Sequence, residues 1–401
     1  MKQIALYIHI PFCESKCYYC DFNSFAGKNE LIETYTNALI KEINHYREKL
    51  SEYQISTVFF GGGTPSILAS NHISLIMESI TSNFSVSKNA EISIEANPGT
   101  LNKLKLQSYR DSGINRLSMG LQSCNNAYLK ELGRIHTYKE FISNLEDARK
   151  VGFKNINVDL MFALPNMKIK EWEKCLIEIN DLEIPHISAY SLIWEDGTKF
   201  QQLKYDGYIK PIDEDLELEM YHLTIEFLKN KGYSHYEISN YAKKGYQCKH
   251  NITYWKNQNY VGLGAGAHSY YENKRFNNAN KIQDYIALTN KGNSPVKNTM
   301  PQTGTVLACR KNTDSLAAAV ENVISISRAD EISETMFLGL RMTKGILVEE
   351  FAKRFNESPL AIYKNELEKL REQKLILFDD KSIKLTQKGI DLSNIVFCEF
   401  V

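Results

Sequence analysis

Three cysteines within eight residues, Cys13-x3-Cys17-x2-Cys20, are the densest cluster of metal-binding chemistry in this 401-residue sequence. Thiolates are soft ligands, and three of them on one short loop can wrap a metal centre, with Pro11 and Phe12 stiffening and covering the approach. A closed structural zinc site wants four ligands, and no further Cys or His stands nearby at zinc-finger spacing. An iron-sulfur cluster held by three thiolates leaves one iron with an open position, which is what a cofactor-binding metal requires. The other five cysteines, Cys124, Cys175, Cys248, Cys309 and Cys398, are scattered. A reducing compartment would keep such thiols free, whereas a secreted protein would pair them.

Two glycine-rich stretches stand out. Gly61-Gly62-Gly63-Thr64-Pro65 lets backbone groups approach a ligand where any Cβ would intrude. A phosphate loop would need a Gly-Lys-Ser/Thr ending, and Gly-Thr-Pro stands there instead. Gly262-Leu-Gly264-Ala-Gly-Ala267 formally fits a dinucleotide fingerprint, but His268 to Phe276 does not read as the helix that a pyrophosphate needs.

The elements that must hold these residues repeat. Six runs rich in β-branched and aromatic residues, Gln3 to Ile10, Ile55 to Phe60, Glu91 to Glu95, Asn115 to Leu121, Asn155 to Met161 and His186 to Leu192, read as strands. They alternate with helical spacing over Glu30 to Leu50, Asn71 to Ile80, Leu101 to Ser112, Tyr138 to Val151, Lys170 to Asn180 and Asp213 to Lys231. Such repetition predicts an α/β fold with a mainly parallel sheet covered by helices. The polar residues choose between an open sheet and a barrel. The cysteines follow the first strand, Gly61 to Pro65 the second, Glu95-Ala-Asn-Pro98 the third and Gln122-Ser123 the fourth, while Asp159 and Tyr190-Ser191 lie late in the fifth and sixth. Chemistry gathered on the loops after the strands is the habit of (β/α) barrels.

Length suggests two or three domains. Lys plus Arg and Asp plus Glu are 48 each, so no overall charge favours nucleic acid or an anionic membrane. No apolar run approaches the roughly 20 residues of a bilayer span, and the amino terminus lacks the pattern of a secretory signal, which predicts a cytoplasmic protein. Residues 286–330, poor in aromatics and holding Pro295, Pro301 and Gly304, read as a linker or insertion, partly helical. Beyond it, Glu331 to Met342, Leu347 to Phe355 and Leu360 to Gln373 read as helices, and Ile376 to Leu385 as a hairpin turning at Asp379 to Ser382, the outline of a winged helix. With 11 Lys/Arg against 12 Asp/Glu over residues 331–401, this module lacks the basic face of a DNA binder and reads as a packing module.

The stretch Tyr7-Ile-His-Ile-Pro-Phe-Cys13-x3-Cys17-Tyr-Tyr-Cys20-Asp-Phe22 resembles the radical S-adenosylmethionine superfamily, in the branch shared by oxygen-independent coproporphyrinogen III oxidase and the HemW heme chaperones. Gly61 to Pro65, Glu95 to Pro98, Gln122, Arg134 and Asp159 follow in the order of that branch. The resemblance implies a partial (β/α)6 TIM-like barrel over residues 1–235, an extension over 236–285 and a winged-helix-like α+β domain over 331–401. It implies a [4Fe-4S] cluster on Cys13, Cys17 and Cys20, with S-adenosylmethionine chelating the unique iron. In such proteins an electron from the reduced cluster cleaves the sulfonium to a 5′-deoxyadenosyl radical, which calls for an electron donor. Tyr7, Tyr19, Gly62, Gly63, Thr64, Glu95, Gln122, Arg134 and Asp159 become the expected cofactor-binding residues: Glu95 for a ribose, Arg134 and Asp159 for charge-assisted contacts, Tyr7 and Tyr19 as shields from water. In the oxidase branch Tyr19, Gly63, Thr64, Gln122, Arg134 and Asp159 match residues that hold S-adenosylmethionine, two molecules of it there.

Two departures point away from the oxidase. That branch carries a further cysteine two positions past the third ligand, where Phe22 stands here, and a longer amino-terminal arm, where 12 residues precede Cys13. His250-Asn251-Ile-Thr-Tyr254-Trp255 instead matches the heme motif of the chaperone branch. His250 offers an imidazole to heme iron, Cys248 an alternative thiolate, and Tyr254 and Trp255 flat faces for a porphyrin. The resemblance implies a protein that passes heme to acceptors such as respiratory cytochromes, visiting the membrane through them, with no nucleic-acid partner. Its alternative is an oxidase that decarboxylates porphyrinogen propionates.

Overall fold

Strands and helices alternate over the first 230 residues, as the periodicity predicts. The strands are β1 (Lys2–Ile10), β2 (Tyr53–Gly62), β3 (Ser85–Ala96), β4 (Arg116–Gln122), β5 (Asn155–Phe162) and β6 (His186–Ser191). The helices between and after them are α1 (Ile32–His45), α2 (Ser70–Asn83), α3 (Lys103–Asp111), α4 (Tyr138–Lys150), α5 (Ile169–Asp181) and α6 (Glu214–Asn230). Only β3 departs by more than a few residues from its expected start. Its first residues, Ser85–Asn89, are polar except for Val86 and mostly exposed, so they carry no hydrophobic period, yet Ser85 and Val86 pair with Gln54 and Ile55.

This computed structural model describes residues 1–291 and 317–401. It forms two units, each gathered from separate stretches of chain: Met1–Gly120, Leu129–Lys154 and Asn259–Ser325 in one, Leu121–Tyr128, Asn155–Gln258 and Ile326–Val401 in the other. The expected boundaries ran along the chain; the units interleave it.

In the first unit β1, β2, β3 and β4 are parallel neighbours, with β1 and β2 in register from Ala5↔Thr57 to Ile10↔Gly62. All seven residues of β4 are buried, as befits a parallel strand covered on both faces. The other edge of β1 continues through β9 (Tyr260–Leu263), parallel to it, then antiparallel β10 (His268–Tyr271), β11 (Lys274–Asn278) and β12 (Val320–Ser325). Two expectations are settled here. No helix opens after Gly262 to Ala267: the chain turns back as a strand so close that a Cβ on Gly262 would sit 2.1 Å from the His268 carbonyl oxygen, which accounts for a glycine without a dinucleotide. The aromatic-poor stretch 286–330 is only partly a linker, for it holds the end of a helix (Ile282–Lys291) and β12, an edge strand kept by ladder hydrogen bonds rather than by burial. Pro295, Pro301, Gly304 and Cys309 lie outside the described residues.

In the second unit β5 and β6 are parallel, and β6 is followed by antiparallel β8 (Asn240–Ala242) and β7 (Ser234–Glu237). Helix α5 packs on α6, where the Trp172 indole donates to Thr224 Oγ1 at 2.8 Å. Taking the Ile282–Lys291 helix as α8, the motif His250 to Trp255 lies on α7 (Lys249–Trp255).

The carboxyl-terminal residues of this unit form α9 (Arg328–Gly339), α10 (Val348–Phe355) and α11 (Lys364–Glu372), with a three-stranded antiparallel sheet of Ile346–Leu347, Ile376–Phe378 and Ser382–Leu385. The expected hairpin is present. The expected helix from Leu360 to Gln373 is two pieces, Pro359–Ile362 and α11, broken where Tyr363 turns its ring edge-on to Phe400. Two further helices, Gln387–Asp391 and Ser393–Cys398, were not foreseen. Arg354 donates to the carbonyls of Lys256 and Asn257 just beyond α7, and Thr343 to that of His235, so this module is a fixed support for α7.

A buried carboxylate ties α1 to β9 and β11. Glu42 accepts from Gly264 N (2.8 Å), Asn278 Nδ2 (2.7 Å) and the Tyr285 hydroxyl (2.6 Å). Burial pushes its pKa up from 4.5 to about 7 against the pull of those donors. The folded chain therefore holds this proton more tightly than the unfolded one, and the resulting stability, present below pH 4.5, is lost as pH rises through 7. Urea denaturation should show wild type weakening by roughly 3 kcal/mol relative to Glu42→Gln between pH 4.5 and 7.5.

Candidate metal and cofactor site

The parallel register of β1, β2 and β3 brings the cysteine loop, Gly61 to Pro65 and Glu95 to Pro98 to one edge of the first unit's sheet. Cys13 is buried, and Cys17 and Cys20 are half-buried. The backbone of Cys20 bonds to the Cys17 carbonyl at 3.2 Å, folding the end of the loop into a turn. Gly63 lies against its start: a Cβ there would sit 2.6 Å from the Phe12 carbonyl oxygen and 3.0 Å from Cys13 Sγ. Gly63 N donates to Ile10 O at 2.9 Å and Thr64 N to Phe12 O at 2.7 Å, so the glycine run and the cysteine loop are laced backbone to backbone. Burial raises the thiol pKa values of Cys13 and Cys20, and the neighbouring Cys17 pushes the same way. Among the described residues no three Cys, His, Asp or Glu side chains converge tightly enough to hold a single metal ion.

Donors already face the thiols. Thr64 Oγ1 donates to Cys13 Sγ at 3.6 Å and Arg134 Nη1 to Cys17 Sγ at 3.4 Å. Asn97 links the two donors, giving a hydrogen bond to Thr64 Oγ1 at 2.9 Å and accepting one from Arg134 Nη2, which also reaches the Gly120 carbonyl. Tyr19 is half-buried, and desolvation raises its hydroxyl pKa, with Arg134 opposing. Cys17, Thr64, Asn97 and Arg134 line one narrow cleft of about 10 Å³.

A second cluster forms one step down the strands. Tyr7 stacks on Phe59, its hydroxyl meets His9 Nδ1 at 3.1 Å, and His9 Nε2 meets the Asn23 carbonyl at 2.8 Å. An acceptor at Nε2 makes that nitrogen the protonated one and leaves Nδ1 to accept from Tyr7. Burial holds the His9 pKa down to about 4, so the ring is neutral at pH 7. Gly62, at φ 112°, lies over the imidazole, where a Cβ would come within 2.6 Å of it. At Gly61 a Cβ would touch Glu95 Oε2 and the Tyr7 ring, both at 3.1 Å, so Glu95 and Tyr7 flank the bare backbone.

Gln122 and Asp159 belong to the second unit. Gln122 has φ 72° and its Oε1 accepts from the Tyr190 hydroxyl at 2.8 Å. Asp159 accepts from Asn157 Nδ2 at 2.8 Å. Asn157 Oδ1 in turn accepts from His186 Nδ1, His186 Nε2 meets the Tyr236 hydroxyl at 2.8 Å, and that hydroxyl accepts from Cys248 N at the start of α7. On α7, His250 is buried and its Nε2 meets the Tyr254 hydroxyl, one turn on, at 2.8 Å. Asn251 is half-buried on the same helix. Trp255 packs its ring 4.4 Å from the Arg341 guanidinium.

The thiol loop on a βα-repeat fold defines a class. The Radical SAM superfamily model matches residues 7–178 and the HemN C-terminal domain model residues 326–392. The solved coproporphyrinogen III oxidase (HemN) of Escherichia coli has the same fold, with a TM-score of 0.81 over 100% of this chain and 90% of that one at 22% identity. Heme chaperone HemW of Lactococcus lactis is 35% identical over 100% of this chain and 98% of its own length, and that of Bacillus subtilis 35% identical over 99% of each. The chain belongs to the HemW family of radical SAM proteins.

Several groups escaped the sequence reading. His9 and Asn97 sit inside motifs that were read for their cysteines and for Glu95, and nothing in their spacing marks His9 as the seat of Gly62 or Asn97 as the link between Thr64 and Arg134. Arg341, 86 residues after Trp255, carried no signal at all. Gly62→Ala, strained at positive φ and driven into the imidazole, should cost roughly 1–3 kcal/mol in chemical denaturation, more than the same change at exposed Gly207, where nothing lies within 4 Å.

Proposed function

We propose that this chain is a heme chaperone that carries a [4Fe-4S] cluster on Cys13, Cys17 and Cys20, binds S-adenosylmethionine beside it, and takes heme as cargo for acceptor hemoproteins such as respiratory cytochromes. The observation that carries this reading is the end-to-end match to relatives named heme chaperone, which leaves no part of this chain unaccounted for. The cytoplasm is the compartment that suits three free thiols, and an electron donor is a required partner.

The residues present fit the implied groups. A cubane attaches each thiolate to its own iron, so it needs three sulfurs around a shared volume and not the convergence of a single-ion chelate. Gly63 keeps that volume clear of a Cβ beside Cys13, and the Thr64 and Arg134 donors offset thiolate charge. When bound, the cluster supplies an electron and S-adenosylmethionine a reducible sulfonium. Gly61 to Gly63 offer bare backbone to the amino-acid end of that cofactor, Glu95 an acceptor for its ribose hydroxyls, and Tyr7 and Tyr19 exclude water. Gln122 and Asp159 complete the proposed cofactor residues. For heme, His250 Nε2 becomes a ligand only when the Tyr254 hydroxyl releases it, while Asn251, Tyr254 and Trp255 frame the helix face.

The rival is the porphyrinogen oxidase, favoured by the likeness in fold alone. Phe22, 63% exposed, stands where that branch has its extra cysteine, and a phenyl ring cannot take that role.

Anaerobically reconstituted protein titrated with hemin should develop a Soret band that weakens in His250→Ala, and with coproporphyrinogen III and reductant it should release no carbon dioxide. Decarboxylation would establish the oxidase. A chain that takes up no iron and sulfide, or in which Cys13→Ala takes up as much as wild type, would remove the cluster from the reading.

A further inference from the structure

In the second unit a cavity of about 700 Å³ opens at the carboxyl ends of β5 and β6, within the size range of small-molecule sites. Much of its wall is apolar, from Phe162, Ile193, Leu218, Ile238 and Ile390. Three of its polar side chains are already engaged. The Tyr190 hydroxyl donates to Gln122, the Tyr221 hydroxyl to the Ile238 carbonyl at 2.9 Å, and Asp391 holds His222 Nε2 at 2.9 Å. Glu214, Asp215 and Glu217 lie on the first turn of α6, the first two exposed and the third half-exposed, so water screens their charge.

Arg341 differs from all of these. It is the single Lys or Arg among the described residues that line the cavity. Its guanidinium lies against the Trp255 ring, and its Nε–H is buried with no hydrogen-bond partner. The Trp255 indole N–H, in the same contact, is also buried and unpartnered. The acid that most supports the Arg341 charge, Glu237, is itself held by Asn240 Nδ2 and Ser239 N, and burial shifts it toward its neutral form. Arg341 is half-buried, and a desolvated N–H with no acceptor costs stability until an anion arrives to pair with the guanidinium.

We propose that Arg341 anchors a carboxylate of the ligand that enters this cavity, and that this ligand is a tetrapyrrole held by a propionate. Apolar wall residues beside one half-buried cation suit a flat apolar body with an acidic edge directed at Arg341 and away from the carboxylates of α6, and the cation is stacked on Trp255 of the helix that carries His250. The choice of tetrapyrrole rests on the chaperone reading above.

Metal-free protoporphyrin IX and its dimethyl ester separate propionate pairing from iron ligation. Full-length wild type, titrated with each and followed by porphyrin absorbance, should bind the diacid about tenfold or more tightly than the diester. Arg341→Met should abolish that preference and Arg341→Lys should keep part of it. Equal affinity of wild type for acid and ester, or an unchanged preference in Arg341→Met, would overturn the anchor. The acid and ester comparison on the unaltered chain stands even if the variants fold poorly. Hemin binding without any acid preference would sink Arg341 alone, whereas failure to bind hemin or either porphyrin would sink the chaperone reading and this site together.

Discussion

Three consecutive residues without side chains govern the carboxyl edge of the first unit's sheet. Gly61 faces Glu95 and Tyr7, Gly62 covers the His9 imidazole, and Gly63 lies against Phe12 and Cys13, each at a distance that a Cβ would violate or crowd. Only bare backbone lets β1 and β2 come so close at their ends, and that closeness lets Gly63 and Thr64 donate to the Ile10 and Phe12 carbonyls and hold the cysteine loop from beneath. His9 serves the same purpose from the other side. Neutral and fully engaged, it bonds Tyr7 with one nitrogen and the backbone of Asn23, just past Cys20, with the other. The thiols are thus mounted on a frame whose backbone hydrogen bonds do not involve the sulfurs.

The second unit is organised by polar groups in relay. Asp159, Asn157, His186 and Tyr236 lead in hydrogen-bonding order to the backbone of Cys248, where α7 begins. The Asn157 amide oxygen fixes a proton on His186 Nδ1, and the start of α7 is tied to β5 and β6 through this relay. The far end of α7 is held by Arg354 from the carboxyl-terminal module. That module therefore acts as a support for α7, in line with its lack of net positive charge, and its own Arg341 completes the wall beside Trp255.

Much of this was legible beforehand. The six strands and six helices announced themselves because amphipathic periodicity is a local property, and Cys13, Cys17 and Cys20 were visible because chelate spacing on one loop is local too. Gly61 to Gly63 stood out as bare backbone open to a ligand, and the atoms that crowd them in the fold belong to the protein itself. The errors share one origin. β12 was read as linker because an exposed edge strand needs no hydrophobic period, only the ladder from β11. The break at Tyr363 and the two last helices were missed because they are set by packing against residues such as Phe400, which no window of neighbours contains.

The sequence alone determined the class of chemistry, three soft donors on a loop after the first strand of a βα repeat, since ligand type and spacing are written within a dozen residues. It also determined which helices and strands form, since these follow from periods of 3.6 and 2. Tertiary structure decided the protonation of His9, the partners of His186, the pairing of Thr64 with Arg134 through Asn97, the occupation of His250 by Tyr254 and the unpartnered Nε of Arg341 against Trp255. Except for the one-turn contact of His250 with Tyr254, those depend on burial and on partners brought together from distant parts of the chain. A hydrogen bond or a desolvated charge is a property of such meetings, and only the folded backbone arranges them.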